Sequence, residues 1–327
     1  MVRNIQVLRC VAALAVVLHH LQLRLHDDVG SPVFSFAGRA GVDVFFVVSG
    51  FIMFHTTRNN DRTVFQFWTD RAIRIAPMYW LATWAVVILF WLNLDPINVK
   101  ALAVKDILAD MIFLPSYRAD GDPYPILDVG WTLNYEVYFY ALFGLTFLLR
   151  SQVAALGALC VWFAGTSLVH AFGPELPHAL DFYFEPITLE FVAGGAFAML
   201  YRRDLSMPAA AGKYLGWALV AAGVVVLAVD SVLWGEFVNW NPTLRLFAYG
   251  VPAALIVAGA LLLEKSGVSA RSPALLLLGA ASYSIYLVHQ LALQYMTMSL
   301  ELVWPKPDAA GIAALAAAGF VAAVLAG

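Results

Sequence analysis

The sequence predicts an all-α protein, a polytopic bundle of about ten membrane-spanning helices with a cytoplasmic N-terminus. Three observations carry that prediction. Of 327 residues, 62% are hydrophobic and only 13% charged, far below the roughly 25% charge of soluble domains. Apolar runs near the ~20 residues that cross a bilayer fall at 5–23, 40–57, 76–94, 131–149, 153–170, 184–201, 213–231, 244–263, 274–297 and 309–327. With the N-terminus inside, the cytoplasmic loops and ends collect eleven Lys and Arg against seven opposite, and the outer loops hold most of the acids, among them Asp120, Asp122 and Asp181; this is the positive-inside bias. Both termini are then cytoplasmic, and residues 1–327 form one integral-membrane domain.

The same numbers exclude other classes. A formal charge of −3, with scattered basic residues, gives no footprint for nucleic acid. Cys10 and Cys160 both lie in apolar runs, which argues against a disulfide framework or a thiolate metal site. Met1 to His20 has the outline of a signal peptide, but no soluble domain follows it, so it is read as the first span.

In that first span, Arg9, His19 and His20 interrupt an apolar run. Eleven helical residues make roughly three turns with about 20° of drift, so Arg9 and His20 share a face, with Ala12, Ala13 and Val16 on or near the stripe and His19 about 100° away. Ionisable groups at membrane depth usually face a protein interior or wet cavity; the alternative is that both snorkel to the two interfaces. The second span opens Gly38-Arg39-Ala40-Gly41-Val42-Asp43. Asp43 falls near the depth of His20, where it either orients an imidazole or complements the helix dipole. Gly41, Ser49 and Gly50 read as close-packing positions.

Before the third span, Arg71 and Arg74 lie three apart ahead of Pro77. They can converge on one anion, phosphate being the natural guest, although topology alone also places arginines there. The longest connection, about 95–130, holds an interfacial amphipathic helix near 101–114, then Pro115, Gly121, Pro123 and Pro125, which break helix and fold over the outer mouth. Glu136 follows Trp131, Asn134 and Tyr135 at the outer start of the fourth span, where a buried acid needs a partner. Glu190 in the sixth span and Tyr283, Ser284, Tyr286 and His289 in the ninth either line a cavity or bond helix to helix. His19 and His20 are adjacent and point apart, and no histidine–acid pair has zinc spacing, so no metal site is expected.

Taken in order, LRCVAALAVVLHH, GVDVFFVVSGF, FWTDRAIRIAPMYW, DVGWTLNYEVYFYALF, LEFVAGG and ASYSIYLVH resemble the acyltransferase-3 family of bacterial integral-membrane acyltransferases, within it the exopolysaccharide and sugar O-acetyltransferases. The resemblance covers nearly the whole chain. The family's arginine and histidine eleven apart fall on Arg9 and His20, and its paired arginines on Arg71 and Arg74. It implies transfer of an acyl group, usually acetyl, from cytoplasmic acyl-CoA to a hydroxyl of a carbohydrate or lipid-linked glycan, in the bacterial cytoplasmic (inner) membrane. Acyl-CoA is then a donor substrate, with no permanently bound cofactor and no nucleic-acid partner. One departure stands out: the family's closing glutamate-proline motif and basic tail are missing, the chain stopping at Val324-Leu325-Ala326-Gly327, so the tenth span is expected to be incomplete.

The residues suit that chemistry. A sugar hydroxyl needs a base to attack a thioester, and His20 is the candidate; Asp43 or Glu136 would hold its tautomer as a triad acid does. Arg71 and Arg74 would take the coenzyme A phosphates, and Arg9 would contact the pantetheine or a phosphate, or brace the pore through a carboxylate. Direct transfer and an acyl-histidine intermediate ask for the same residue. The competing class is a proton-coupled transporter or flippase that uses Arg9, His20, Asp43 and Glu136 as its pathway.

Overall fold

The computed structural model describes residues 2–24, 32–57, 63–94, 99–121, 123–149, 151–203, 207–233, 241–303, 318, 320–322, 324–325 and 327. Among the described residues every regular element is helical. In chain order they are α1 (Arg3–Arg24), α2 (Pro32–Thr56), α3 (Val64–Trp91), α4 (Val104–Met111), α5 (Trp131–Leu145), α6 (Gln152–Phe172), α7 (His178–Tyr183), α8 (Leu189–Arg202), α9 (Ala209–Leu233), α10 (Pro242–Arg245), α11 (Val251–Lys265) and α12 (Pro273–Val303). Seven stretches among the described residues are long and apolar enough to cross a membrane: α1, α2, α3, α6, α9, α10 running into α11, and α12.

The expected fourth and sixth spans take a different form. α5 has 15 residues and α8 has 14, about 21–23 Å of helix against a ~30 Å hydrocarbon core. Turns of 3₁₀ helix at Asp128–Gly130, Thr146–Leu148 and Pro186–Thr188 prolong them. The expected tenth span lies mostly outside the described residues.

α3 starts twelve residues before the expected apolar run because a capping box closes it: Thr63 accepts from the Gln66 amide, and Gln66 returns the bond to Thr63. The helix continues through Pro77. Two residues earlier the Ile75 carbonyl accepts from Tyr283 Oη at 2.7 Å, which ties α3 to α12. The amphipathic helix of the long connection is present as α4, but its polar side faces inward. Asp106 and Asp110 are 1% and 6% exposed, while Val104, Leu108 and Ile112, spaced one turn apart, are 72%, 61% and 68% exposed.

α1 packs against α2 and α12, α2 also against α8, and α11 against α9. Small residues make the approach of α2 possible: a Cβ on Gly41 would stand 2.7 Å from the Ala12 carbonyl oxygen, and one on Gly50 would strike the Phe191 backbone. Aromatic rings fill the centre, with Phe139 stacked on Phe191 at 4.4 Å and Phe54 edge-on to Phe143 at 5.0 Å. α9 has only 17% of its span buried, the signature of a lipid-facing helix.

Candidate active site

α1 presents Arg9 and His20 to the interior on one stripe, as its helical spacing requires, but the two residues open into different chambers. The Arg9 chamber is a cavity of about 80 Å³ lined by α1, α2, α3, α5 and α12. The His20 chamber, a cavity of about 740 Å³, is walled by α1, α2, the 123–131 segment, α7, Glu185, Arg245 and α12. Val42 and Tyr286 line both. Only the His20 chamber is in the ordinary range of ligand pockets; the Arg9 chamber is far smaller.

In the Arg9 chamber Glu136 is the central acid. Its Oε1 accepts from Ser49 Oγ at 2.9 Å and from the Tyr140 hydroxyl in a short bond. Arg9 donates to Gln6 Oε1 at 3.3 Å and has Arg74 and Glu136 as charged neighbours. Arg74, exposed, stands at the rim. Arg71 does not line the chamber: its guanidinium lies over the rings of Phe67 and Tyr140 at 5.6 and 5.9 Å. The two arginines expected to converge therefore divide, one facing the chamber and one bracing a ring in its wall. Ser49, expected only to allow close packing, instead bonds Glu136 and lines the chamber.

In the His20 chamber three imidazoles meet. The His20 ring lies 5.2 Å from His19 and 5.0 Å from His289, both edge-on. His19 lines the same chamber as His20, although helical spacing alone turns it aside. His289 Nδ1 is 2.7 Å from the Tyr286 carbonyl; a carbonyl only accepts, so that nitrogen carries the proton. Gln290 Nε2 lies 3.3 Å from His20 Nδ1, while Gln290 Oε1 is buried with no partner among the described residues. Amide nitrogen and oxygen exchange places by a half-turn. In the turned orientation Oε1 accepts from His20 Nδ1–H and leaves the Nε2 lone pair for a substrate proton.

Asp43, fully buried, stands behind Arg245 of this chamber's wall, with Oδ2 2.9 Å from an Arg245 guanidinium nitrogen. Arg245 is held between Trp131 and Tyr249 at 5.6 and 5.2 Å. Glu190 faces Asp43, and Asp43 Oδ1 and both Glu190 oxygens find no donor among the described residues. Two carboxylates bond each other only through a shared proton. Arg245 precedes a π-turn at Leu246–Gly250; Pro252 has no amide to close a normal turn there, and such widened turns recur at functional sites. Gly250 leaves room at that turn for the Glu190 carboxylate, which a Cβ there, 2.6 Å from Oε1, would displace.

The structure thus gives each proposed acid its own neighbours: Asp43 is committed to Arg245 and Glu190, Glu136 to Ser49 and Tyr140. Sequence reasoning passed over Gln290 and counted Arg245 only as a loop cation. Glu190 and His289 were visible as buried polar residues, but nothing in their spacing showed their partners.

Comparison with known proteins bears on the family. The profile of a family described as an acyltransferase domain, the acyltransferase-3 type, matches residues 2–327. The exopolysaccharide production protein ExoZ of Rhizobium meliloti (strain 1021) is 36% identical over 265 residues, 78% of this chain and 77% of that one. The acyltransferase MdmB of Streptomyces mycarofaciens is 27% identical over 353 residues, 98% of this chain and 87% of that one. No solved structure matches.

Proposed function

The chain belongs to the acyltransferase-3 family, and on that premise we propose that it moves an acyl group, acetyl in the first instance, from cytoplasmic acyl-CoA to a hydroxyl of an envelope carbohydrate or exopolysaccharide glycan. The observation that carries the reading is the pair of chambers, one holding Arg9 and Arg74 and the other lined by imidazoles, that share Val42 and Tyr286 as lining residues. Arg74 at the rim takes a phosphate of coenzyme A, and Arg9, with Glu136 as its countercharge, receives the pantetheine arm. The acceptor hydroxyl sits at His20. Its oxygen adds to the thioester carbonyl carbon as His20 takes the proton; the C–S bond then breaks, the ester C–O bond remains, and the departing thiolate is protonated from the imidazolium. Gln290 holds the imidazole, and Asp43 acts through Arg245 by fixing the chamber wall. The name of the Rhizobium relative and the two bacterial sources support a polysaccharide acceptor and a bacterial cytoplasmic membrane. A transporter would leave donor and acceptor covalently unchanged, which family membership disfavours.

The test is transfer of label from radiolabelled acetyl-CoA to extracted glycans, in membranes carrying wild type or His20→Ala at matched expression. Wild type transfers label, and His20→Ala loses on the order of 10²–10⁴-fold, the usual yield of a general base. Equal transfer in both removes His20 from the chemistry.

A further inference from the structure

We propose that the partition between the two chambers, formed by Val42, Phe45 and Tyr286, is the neck through which the acyl group passes and a filter that selects by cross-section rather than by length. The proposal rests on the CoA-to-glycan reading above. Val42 and Tyr286 line both chambers and are each 6% exposed, so they form the partition. Tyr286 is pinned from both sides. Its hydroxyl accepts from Thr132 Oγ1 at 3.0 Å and donates to the Val129 carbonyl at 3.3 Å; Thr132 lines the Arg9 chamber and Val129 the His20 chamber. Phe45 closes a third side, its ring edge-on to Tyr286 with centroids 5.9 Å apart. Val42 is β-branched and stiff at χ1. A passage through this partition therefore cannot widen without breaking buried hydrogen bonds or displacing packed rings.

A donor anchored at Arg9 and Arg74 enters acyl end first, the thioester following and the pantetheine trailing. His20 lies on the far side, so the carbonyl carbon must reach the neck before a hydroxyl held at His20 can add to it. Straight acyl chains advance into the larger chamber, whose volume takes up their length. A branch or ring next to the carbonyl instead arrives broadside at the constriction. The filter thus favours unbranched acyl groups and holds back α-branched and aromatic ones. The bond changes are those already given: C–O forms, C–S breaks, and the proton passes through His20 to the thiolate.

The experiment compares labelled acetyl-, butyryl-, isobutyryl- and benzoyl-CoA as donors in membranes carrying wild type, Val42→Ala, Tyr286→Phe or Val42→Phe. In wild type, isobutyryl and benzoyl transfer trails butyryl transfer in kcat/KM by about tenfold or more, the scale of misfitting methyl groups in a tight pocket. Val42→Ala raises the isobutyryl-to-butyryl ratio about tenfold. Tyr286→Phe, which keeps the ring but removes both of its hydrogen bonds, raises it in the same direction, and as a near-isosteric change it carries the comparison if Val42→Ala does not accumulate. Val42→Phe lowers kcat for every donor while binding of labelled coenzyme A is retained. Ratios unchanged in Val42→Ala and Tyr286→Phe, with butyryl or acetyl transfer continuing, overturn the filter alone. Wild-type membranes that use no acyl-CoA at all overturn the donor reading and the filter with it, a result distinct from unchanged ratios.

Discussion

His20 and Asp43 show how differently two residues expected to act as a pair can be held. His20 meets the Gln290 amide across α12, a contact that fixes which ring nitrogen faces the chamber. Gln290→Leu leaves the imidazole without that contact, and kcat falls about tenfold, the worth of one hydrogen bond near 1.4 kcal/mol; coenzyme A binding, made in the other chamber, is unchanged. A KM for donor that rises as much as kcat falls would place Gln290 in binding instead. Asp43 is in a different position, buried in an ion pair with Arg245. Removing one partner of such a pair leaves an uncompensated charge and costs about 3–5 kcal/mol, whereas removing both is far milder. Asp43→Asn therefore lowers the melting temperature in detergent, and Asp43→Asn with Arg245→Met restores much of it. Additive losses in the double variant would show that the pair is not coupled.

At the scale of elements, the outer connection is fastened by carboxylates as well as by the buried Ile107 of α4. Asp106 Oδ2 accepts from the Ala103 and Ala119 amides at 2.8 and 3.2 Å, and Asp110 Oδ2 from the Ile126 amide at 2.9 Å. Arg118 adds bonds to the Pro125 carbonyl and Asp120. The strap so formed carries Pro123, Tyr124 and Asp128 into the wall of the His20 chamber. Burial pushes the Asp110 carboxyl up to about 7, against the opposing pull of the Ile126 amide and Arg118; the unfolded value is about 3.9. The folded protein then binds more protons than the unfolded one between those values, so the Asp110 contribution is fully present below about pH 4 and is lost as pH rises through about 7. The melting temperature of wild type declines from about pH 5 to pH 8 more steeply than that of Asp110→Asn. Parallel profiles would remove Asp110 as the source.

At the scale of the molecule, one face of the bundle gathers the start of α1 and the turn between α11 and α12. Arg3 and Asn4 amides donate to Glu264, and Asn4 binds the carbonyls of Ala260 and Val268 and the amide of Ala270. The charge bias of the sequence predicts that face in the cytoplasm and α4 outside. Both native cysteines lie within membrane helices, so single cysteines report cleanly on sidedness. On intact cells a membrane-impermeant maleimide labels Lys105→Cys at once and Arg271→Cys only after lysis. The reverse order would invert the topology and with it the assignment of donor and acceptor sides.

Sequence alone determined that the chain is helical and membrane-embedded, since composition and run length depend on nothing beyond the chain. It also placed Arg9 and His20 on one face, because an eleven-residue interval is set by the helix itself. It did not show that α5 and α8 are short helices prolonged by 3₁₀ turns, nor that α4 turns its acids inward, because backbone amides as far away as Ala119 and Ile126 outbid the local apolar pattern. The division into two chambers, the separation of Arg71 from Arg74, and the joining of Asp43 to Arg245 and of His20 to Gln290 were decided only in three dimensions. Those partners are hundreds of residues apart or on opposite sides of one wall, and periodicity fixes the direction of a side chain from its own helix but not which helix stands opposite.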